Sequence, residues 1–253
     1  MRLPRMAGAL PGTLAAWYGT SRIGSGISVR RTSQETCRAM KLRSVNVSGI
    51  TQVLHHGELV GTGIFKKPVE GPVAVGAVQM AGDRQADLRN HGGPDKAVYG
   101  YPWEHYAHWS AALDRDDFVP GQFGENLTTE GLLETAVCIG DRLRIGSVLL
   151  EVSQPRVPCF KLGIRMKLPG FPKLFLKSGL VGFYFRVLEE GELAAGDHIS
   201  VTPSEYERIS VAEVSRVRFF DSGNRPMIER ILSNPALAGV WRVDFEDLLA
   251  NRR

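Results

Sequence analysis

Between Met40 and Pro203 the chain is cut by glycine turns into short runs that alternate apolar and polar residues. Alternation of period two marks half-buried strands, and glycine supplies the positive φ that tight turns require. "SVNVSGITQVLHHGELVGTGIFKKPV" alternates on both sides of "HHGEL" and so predicts a hairpin. "GPVAVGAVQM" predicts a further strand. "ETAVCIGDRLRIGSVLLEVSQP" predicts two around "IGDRLRIG", and "GFYFRVLEEGELAAGDHISV" a pair bent at "EEGELAAGD". "PWEHYAHWSAALDR" predicts a short helix, with Pro102 suited to its first turn. Many strands and few helices imply a mixed α/β fold, mainly β, with a closed or strongly curved sheet.

After Pro203 the period changes. "SVAEVSRVRFF" places Val211, Val214 and Val217 on one face behind Ser210 as N-cap, and "RPMIERILSN" and "PALAGVWRVDFEDLLANRR" continue as two amphipathic helices. Three helices within residues 204–253 are too small to hold a core alone, so this unit is expected to dock on a β domain of residues 40–203. Residues 1–39 hold six arginines and a single acid, Glu35, so the chain's net charge of +4 resides there and the remainder is close to neutral. That segment reads as a dispensable leader: a transit peptide, a disordered extension, or sequence ahead of a true start at Met40.

The body therefore lacks the clustered basic face of a nucleic-acid binder. No apolar run approaches the ~20 residues that span a bilayer, so no membrane role is expected. Cys37, Cys138 and Cys159 are far apart and form no CxxC pair, which argues against a disulfide scaffold or a structural zinc site. A reducing, cytoplasmic location is expected, or an organelle matrix if residues 1–39 are a transit peptide.

Four stretches are richer in polar and glycine residues than packing requires. "GTGIFKKPVEGPV" carries Lys66 and Lys67 behind Gly61 and Gly63, either a solvated edge or a phosphate contact. "GDRQADLRNHGGPDKAVYGY" gathers His91, Gly92, Gly93, Asp95 and Lys96, followed by Tyr101, either a tight loop or a binding cluster. "GQFGENLTTEG" offers Glu125 and Asn126, whose carboxylate and amide suit the alternating donors and acceptors of a pterin or purine edge, or form a capped turn. "SQPRVPCFKLG" sets Cys159 behind Pro155 and Pro158 with Arg156 and Lys161 beside it. Proline stiffness predicts a rigid, non-helical loop, and the cations favour the thiolate. A buried cysteine acting as a small hydrophobe is the plainer alternative. His105 and His108 lie three apart on the predicted helix without a third ligand, His55 and His56 read as turn residues, and Cys138 as core.

In this order the stretches "TGIFKKPVEGPV", "GDRQADLRNHGGPDKAVYGYPWEHYAHW", "FGENLTTEG", "GDRLRIGS", "QPRVPCFKLG" and "GFYFRVLEEG" resemble the MOSC family, the domain at the C-terminus of molybdenum cofactor sulfurases. The resemblance is nearest to the stand-alone branch that reduces N-hydroxylated bases, and the tail is similar to that branch's three-helix module. It implies a β-barrel-like domain and a molybdenum cofactor with Cys159 as the thiolate ligand to the metal, which suits a soft, thiophilic ion. It implies that Lys66, His91, Gly92, Gly93, Lys96, Tyr101, Glu125, Asn126 and Arg156 face the cofactor. Asp95 or His91 would deliver the proton when an N–O bond breaks. The implied activity is a molybdenum-dependent oxidoreductase that detoxifies N-hydroxylated small molecules with electrons from a separate reductase; a homodimer is left open. Pyridoxal phosphate is not expected, because no lysine sits in a recognisable Schiff-base context. The alternatives are a sulfur or molybdenum-cofactor carrier that uses Cys159, and a non-catalytic cofactor-binding protein. The pattern departs at "LKSGLVGFYF", where Leu180 and Val181 stand in place of an arginine common before "GFY", and "MKLPGFPKLFLK" predicts an altered lid over the site.

Overall fold

Residues 40–250 are described in this computed structural model, and the leader expected at 1–39 lies outside them. The first strand, β1 (Lys41–Val47), leads into a hairpin of β2 (Thr51–His55) and β3 (Glu58–Thr62), with Val53 opposite Val60. His56 and Gly57 turn it with φ of 51° and 85°, the left-handed pair that a two-residue hairpin needs. The chain continues through β4 (Lys67–Pro68), β5 (Val73–Val75), α1 (Leu88–His91), a 3-10 turn (Pro94–Lys96), β6 (Val98–Pro102), α2 (Glu104–Leu113) and β7 (Leu127–Glu130). Then come β8 (Arg142–Ile145), β9 (Val148–Pro155), α3 (Phe160–Met166), α4 (Phe171–Ser178), β10 (Phe183–Glu189), β11 (Gly191–Leu193) and β12 (Ile199–Thr202). Helices α5 (Val211–Phe220), α6 (Arg225–Ser233) and α7 (Gly239–Ala250) complete it.

One sheet runs in the order β12-β8-β9-β10-β6-β7-β1-β4. The pair β6–β7 is parallel, and its other pairs are antiparallel. Register shifts in the β9–β10 and β1–β7 ladders bend it. The sheet curls until Leu42 donates its N–H to the Asp197 carbonyl and Ile199 to that of Met40, both at 2.9 Å. Beside these bonds a single bridge, Lys41 to His198, joins β1 to the approach of β12. The mainly-β, curved sheet expected from the sequence is present, and it is an open sheet rather than a closed barrel. β5 and β11 pair separately, so "GFYFRVLEEGELAAGDHISV" yields three strands where two were expected.

Alternation along β10 decides which side of the sheet holds what. Phe183 and Phe185 pack with Val152, Val214, Ile228, Ile231, Trp241 and Phe245, a core shared by the sheet and the C-terminal helices. Tyr184 turns the other way, toward an aromatic cluster of Tyr99, Tyr101, Tyr106, Trp109, Phe123, Phe171 and Phe175. Gly100 in β6 permits this: a Cβ there would stand 2.8 Å from the Phe185 ring. Ser210 caps α5 as expected, accepting from the Glu213 N–H at 3.2 Å while the Glu213 carboxylate accepts from the Ser210 N–H at 2.8 Å.

Two local expectations are corrected. Pro102 is the last residue of β6, opposite Thr129, and α2 starts two residues later. "MKLPGFPKLFLK" is no lid: it forms the end of α3 and most of α4, with Phe171 and Phe175 fully buried in the aromatic cluster. Pro172 sits in the first turn of α4, where its missing N–H costs nothing.

Arg186 braces the helices to the sheet. It donates to Asp95 at 2.6 Å, to Glu151 at 2.6 Å and to the Ala236 carbonyl at 3.2 Å, and Asp95 accepts from the Gly239 N–H at 3.3 Å. Replacing Arg186 by Met leaves the mostly buried Glu151 with only Arg142, 3.5 Å away. The expected loss is about 2 kcal/mol of stability, read as a lower Tm with faster amide exchange concentrated in residues 236–250.

Candidate active site around Cys159

Pro155 closes β9, and after Arg156, Val157 and Pro158 the chain enters α3 with Cys159 at its N-cap position. The stiff segment is therefore shorter than "SQPRVPCFKLG" predicts, since Phe160 and Lys161 are already helical. Cys159 lines a cavity of about 80 Å³ that opens to solvent. Burial alone would raise its thiol pKa. A hydrogen bond with His91, the charges of Arg156 and His91, and the Lys161 backbone N–H outweigh it and bring the value down to about 7.

The cavity's other groups come from three more segments. Lys66, on the β3–β4 connection, is buried and donates from Nζ to Asp83. Burial lowers its pKa, and the Asp83 carboxylate works against that fall. Asn126 donates to Asp83 at 3.0 Å and accepts the Tyr99 N–H at 3.1 Å. Arg156 is buried, donates to the Phe123 carbonyl at 2.8 Å and to the Tyr99 hydroxyl at 3.2 Å, and lies 4.6 Å from the Tyr99 ring centroid. Lys96 lines the cavity with its pKa lowered by burial. Close approach needs glycine at Gly63, whose Cβ would lie 2.1 Å from the Arg84 carbonyl oxygen, and at Gly124, with φ of 82° and Ile64 packed against it.

Of the residues proposed from sequence, Cys159, His91, Lys66, Lys96, Asn126 and Arg156 meet at this cavity. Five others lie elsewhere. Asp95 is held by Arg186 and Gly239, away from the sulfur. Tyr101 is fully buried among aromatic rings, donating to the Leu180 carbonyl and accepting from Trp109. Glu125 is fully buried and accepts from Tyr106, Thr128 and the N–H groups of Gly121 and Phe123, so it pins its own loop; burial raises its pKa. Gly92 packs on α1, where a Cβ would stand 2.8 Å from the Leu88 carbonyl oxygen. Gly93 supplies a φ of 97° ahead of the 3-10 turn. Val181 is fully buried in the aromatic core and its carbonyl accepts from Tyr99, while the part-exposed Leu180 lends its carbonyl to Tyr101. His105 is paired with Glu134 at 2.7 Å, Cys138 is buried, and Lys67 is exposed.

Sequence reasoning missed Asp83, Tyr99, Tyr184 and Arg84. A signal existed for two of them. A lysine in a glycine-rich, apolar stretch needs a carboxylate partner, and "GDRQAD" supplies one. Alternation in "GFYF" sends Tyr184 to the face opposite Phe183 and Phe185.

Five lysines and arginines line the cavity against two aspartates, so it favours an anion. Among the described residues no group of three or more His, Cys, Asp or Glu could hold a metal ion. A metal at Cys159 would thus have to arrive carrying most of its own ligands on an anionic carrier. A dithiolene-bearing pterin phosphate meets both conditions, and the residues present fit it. No helix among the described residues is long and apolar enough to cross a membrane.

The family model of the MOSC domain matches residues 87–200, and that of the YiiM-like, 3-alpha helix domain matches residues 209–252. The uncharacterized protein YflK of Bacillus subtilis (strain 168) is 43% identical over 205 residues, 80% of this chain and 91% of that one. A protein of Gibberella moniliformis named "Reductase" is 40% identical over 164 residues, 64% of this chain but 29% of its own length. The crystal structure of YiiM from Geobacillus stearothermophilus superposes with a TM-score of 0.71 at 37% identity, covering 83% of this chain and 99% of that one.

A thiol pKa of about 7 sets a pH test. Iodoacetamide labelling of Cys159, followed by mass spectrometry of its peptide, is expected to reach half its limiting rate near pH 7. Buried Cys138, whose pKa burial raises, should label far more slowly. His91→Ala should move the Cys159 midpoint upward, because it removes a partner of the thiolate.

Proposed function

This chain belongs to the MOSC family, and from that membership and the cavity's chemistry we propose that it is a molybdenum-cofactor-dependent reductase of N-hydroxylated compounds. The observation that carries the reading is a thiolate-prone cysteine at the wall of a cationic cavity that offers no other cluster of metal ligands. The reductase-named relative supports an oxidoreductase.

When bound, the cofactor supplies two-electron redox chemistry at its metal. Cys159 would ligate that metal as the thiolate, the form already favoured near neutral pH. Arg156, with most of its hydration replaced by Phe123, Tyr99 and aromatic faces, is a fixed cation beside the sulfur that offsets anionic charge without having to move. Lys96, Lys161 and Arg84 would face the phosphate, and Asn126 the pterin edge. Lys66 serves indirectly, since its ammonium is held by Asp83. His91 is the remaining candidate for moving a proton, now that Asp95 is tied to Arg186. The overall change is R–NH–OH plus two electrons and two protons to R–NH2 plus water. The electrons would come from a separate reductase.

The same lowered thiol pKa serves a second reading, a sulfur carrier with a persulfide on Cys159. One experiment separates them. The protein is made in a molybdopterin-competent host and compared with Cys159→Ala for molybdenum content and benzamidoxime reduction with a reconstituted electron chain. Wild type is expected to retain molybdenum and reduce benzamidoxime, and the variant to lose both by about two orders of magnitude. Equal molybdenum in the two proteins, or none in wild type, would falsify the reductase proposal. Cys159-dependent sulfur transfer without reduction would establish the carrier.

A further inference from the structure

A second cavity of about 180 Å³ lies where α5 and α7 face the sheet. Val157, Phe219, Val240 and Trp241 give it apolar walls, and an ion pair between Arg218 and Asp244 at 3.1 Å crosses from α5 to α7 beside it. His91, Lys96 and Tyr184 line this cavity and the Cys159 cavity alike, so the two meet at the residue that bonds the thiol.

Gln154 also lines it. The side chain is 2% exposed, and its Oε1 is buried without a hydrogen-bond partner. An orphaned amide oxygen at that depth costs stability, and leucine would fill the same space on β9 without the cost. The group makes sense if a ligand brings the missing donor. Flat apolar walls, an aromatic edge and one unmatched acceptor together describe a seat for a planar ring bearing an N–H.

We propose that this second cavity seats the body of the substrate, a neutral heteroaromatic ring that donates to Gln154 Oε1. Its N-hydroxylamino group then lies at His91, facing Cys159. The C-terminal helices thereby set substrate specificity through Val240 and Trp241, while the first cavity keeps the cofactor. The chemistry assigned to the ring rests on the reductase reading; the seat itself does not.

The test uses the full-length protein with two substitutions outside the cofactor cavity: Val240→Trp, at a position 53% exposed, which fills the seat, and Gln154→Leu, which deletes the acceptor. Adenine, the amine left by reduction of a hydroxylaminopurine, is titrated by calorimetry. It is expected to bind wild type and to bind each variant about tenfold more weakly. Molybdenum content should not change, and the Tm of Gln154→Leu should be no lower than wild type. Val240→Trp should raise KM for the hydroxylaminopurine about tenfold while reduction of hydroxylamine, which has no ring to seat, stays within about twofold. The proposal fails if adenine does not bind wild type or binds all three proteins equally. It also fails if folded Val240→Trp loses molybdenum, because the cavity would then hold cofactor, or if hydroxylamine reduction falls in parallel with that of the ring substrate. Should wild type lack both molybdenum and activity, the calorimetry decides alone: weaker adenine binding in the variants keeps the seat while the reductase reading falls.

Discussion

One buried carboxylate holds the cavity floor together. Asp83 accepts from the Lys66 ammonium, from the Ser48 N–H at 3.0 Å and from the Asn126 amide at 3.0 Å, and Asn126 in turn accepts the Tyr99 N–H at 3.1 Å. The turn after β1, the β3–β4 connection, strand β6 and the approach to β7 are joined through these few atoms. A lone charge at that depth would be very costly, and it is tolerated because every partner is present. The consequence is rigidity: Asn126 and Lys66 cannot shift without uncompensating Asp83, so the groups that would meet a ligand are fixed before it arrives.

Beneath this floor the aromatic cluster plays a complementary part. Arg156 is surrounded by the Tyr99 ring at 4.6 Å and the Phe175 ring at 5.6 Å, with carbonyl and hydroxyl oxygens as its acceptors. Poorly hydrated guanidinium is suited to such a place. Its field then falls on Cys159 through a medium with little water to screen it, which is part of why the thiol titrates near neutrality. The apolar residues Leu180 and Val181, unexpected from the resemblance, lend backbone carbonyls to Tyr101 and Tyr99 and so help hold those rings.

The fold was largely readable because its signals are local: the His56-Gly57 turn, the alternation of "GFYF", and the Ser210 cap each act within a few residues. Pro102 misled because a proline before a helix and a proline ending a strand look alike until Thr129 is seen beside it. The site was legible by stretch and not by residue. Asp95 and Lys96 are neighbours in a 3-10 turn, and Glu125 and Asn126 are neighbours entering β7, yet one of each pair lines the cavity and the other serves the scaffold. Sequence supplies the chemistry of a neighbourhood; which side chain turns inward depends on partners such as Arg186 and Tyr106, which are remote in the chain.

The shared core between the sheet and α5, α6 and α7 bears on how the protein comes into being. Phe183, Phe185 and Val152 find their cover in Trp241 and Phe245, which are synthesised after every strand of the sheet. A nascent sheet therefore waits with a greasy face uncovered until these helices follow it, and β1, the first described strand made, waits for its link to the β12 end. The sheet is completed only once α5, α6 and α7 exist to cover it, and its uncovered face is most open to wrong contacts in that interval.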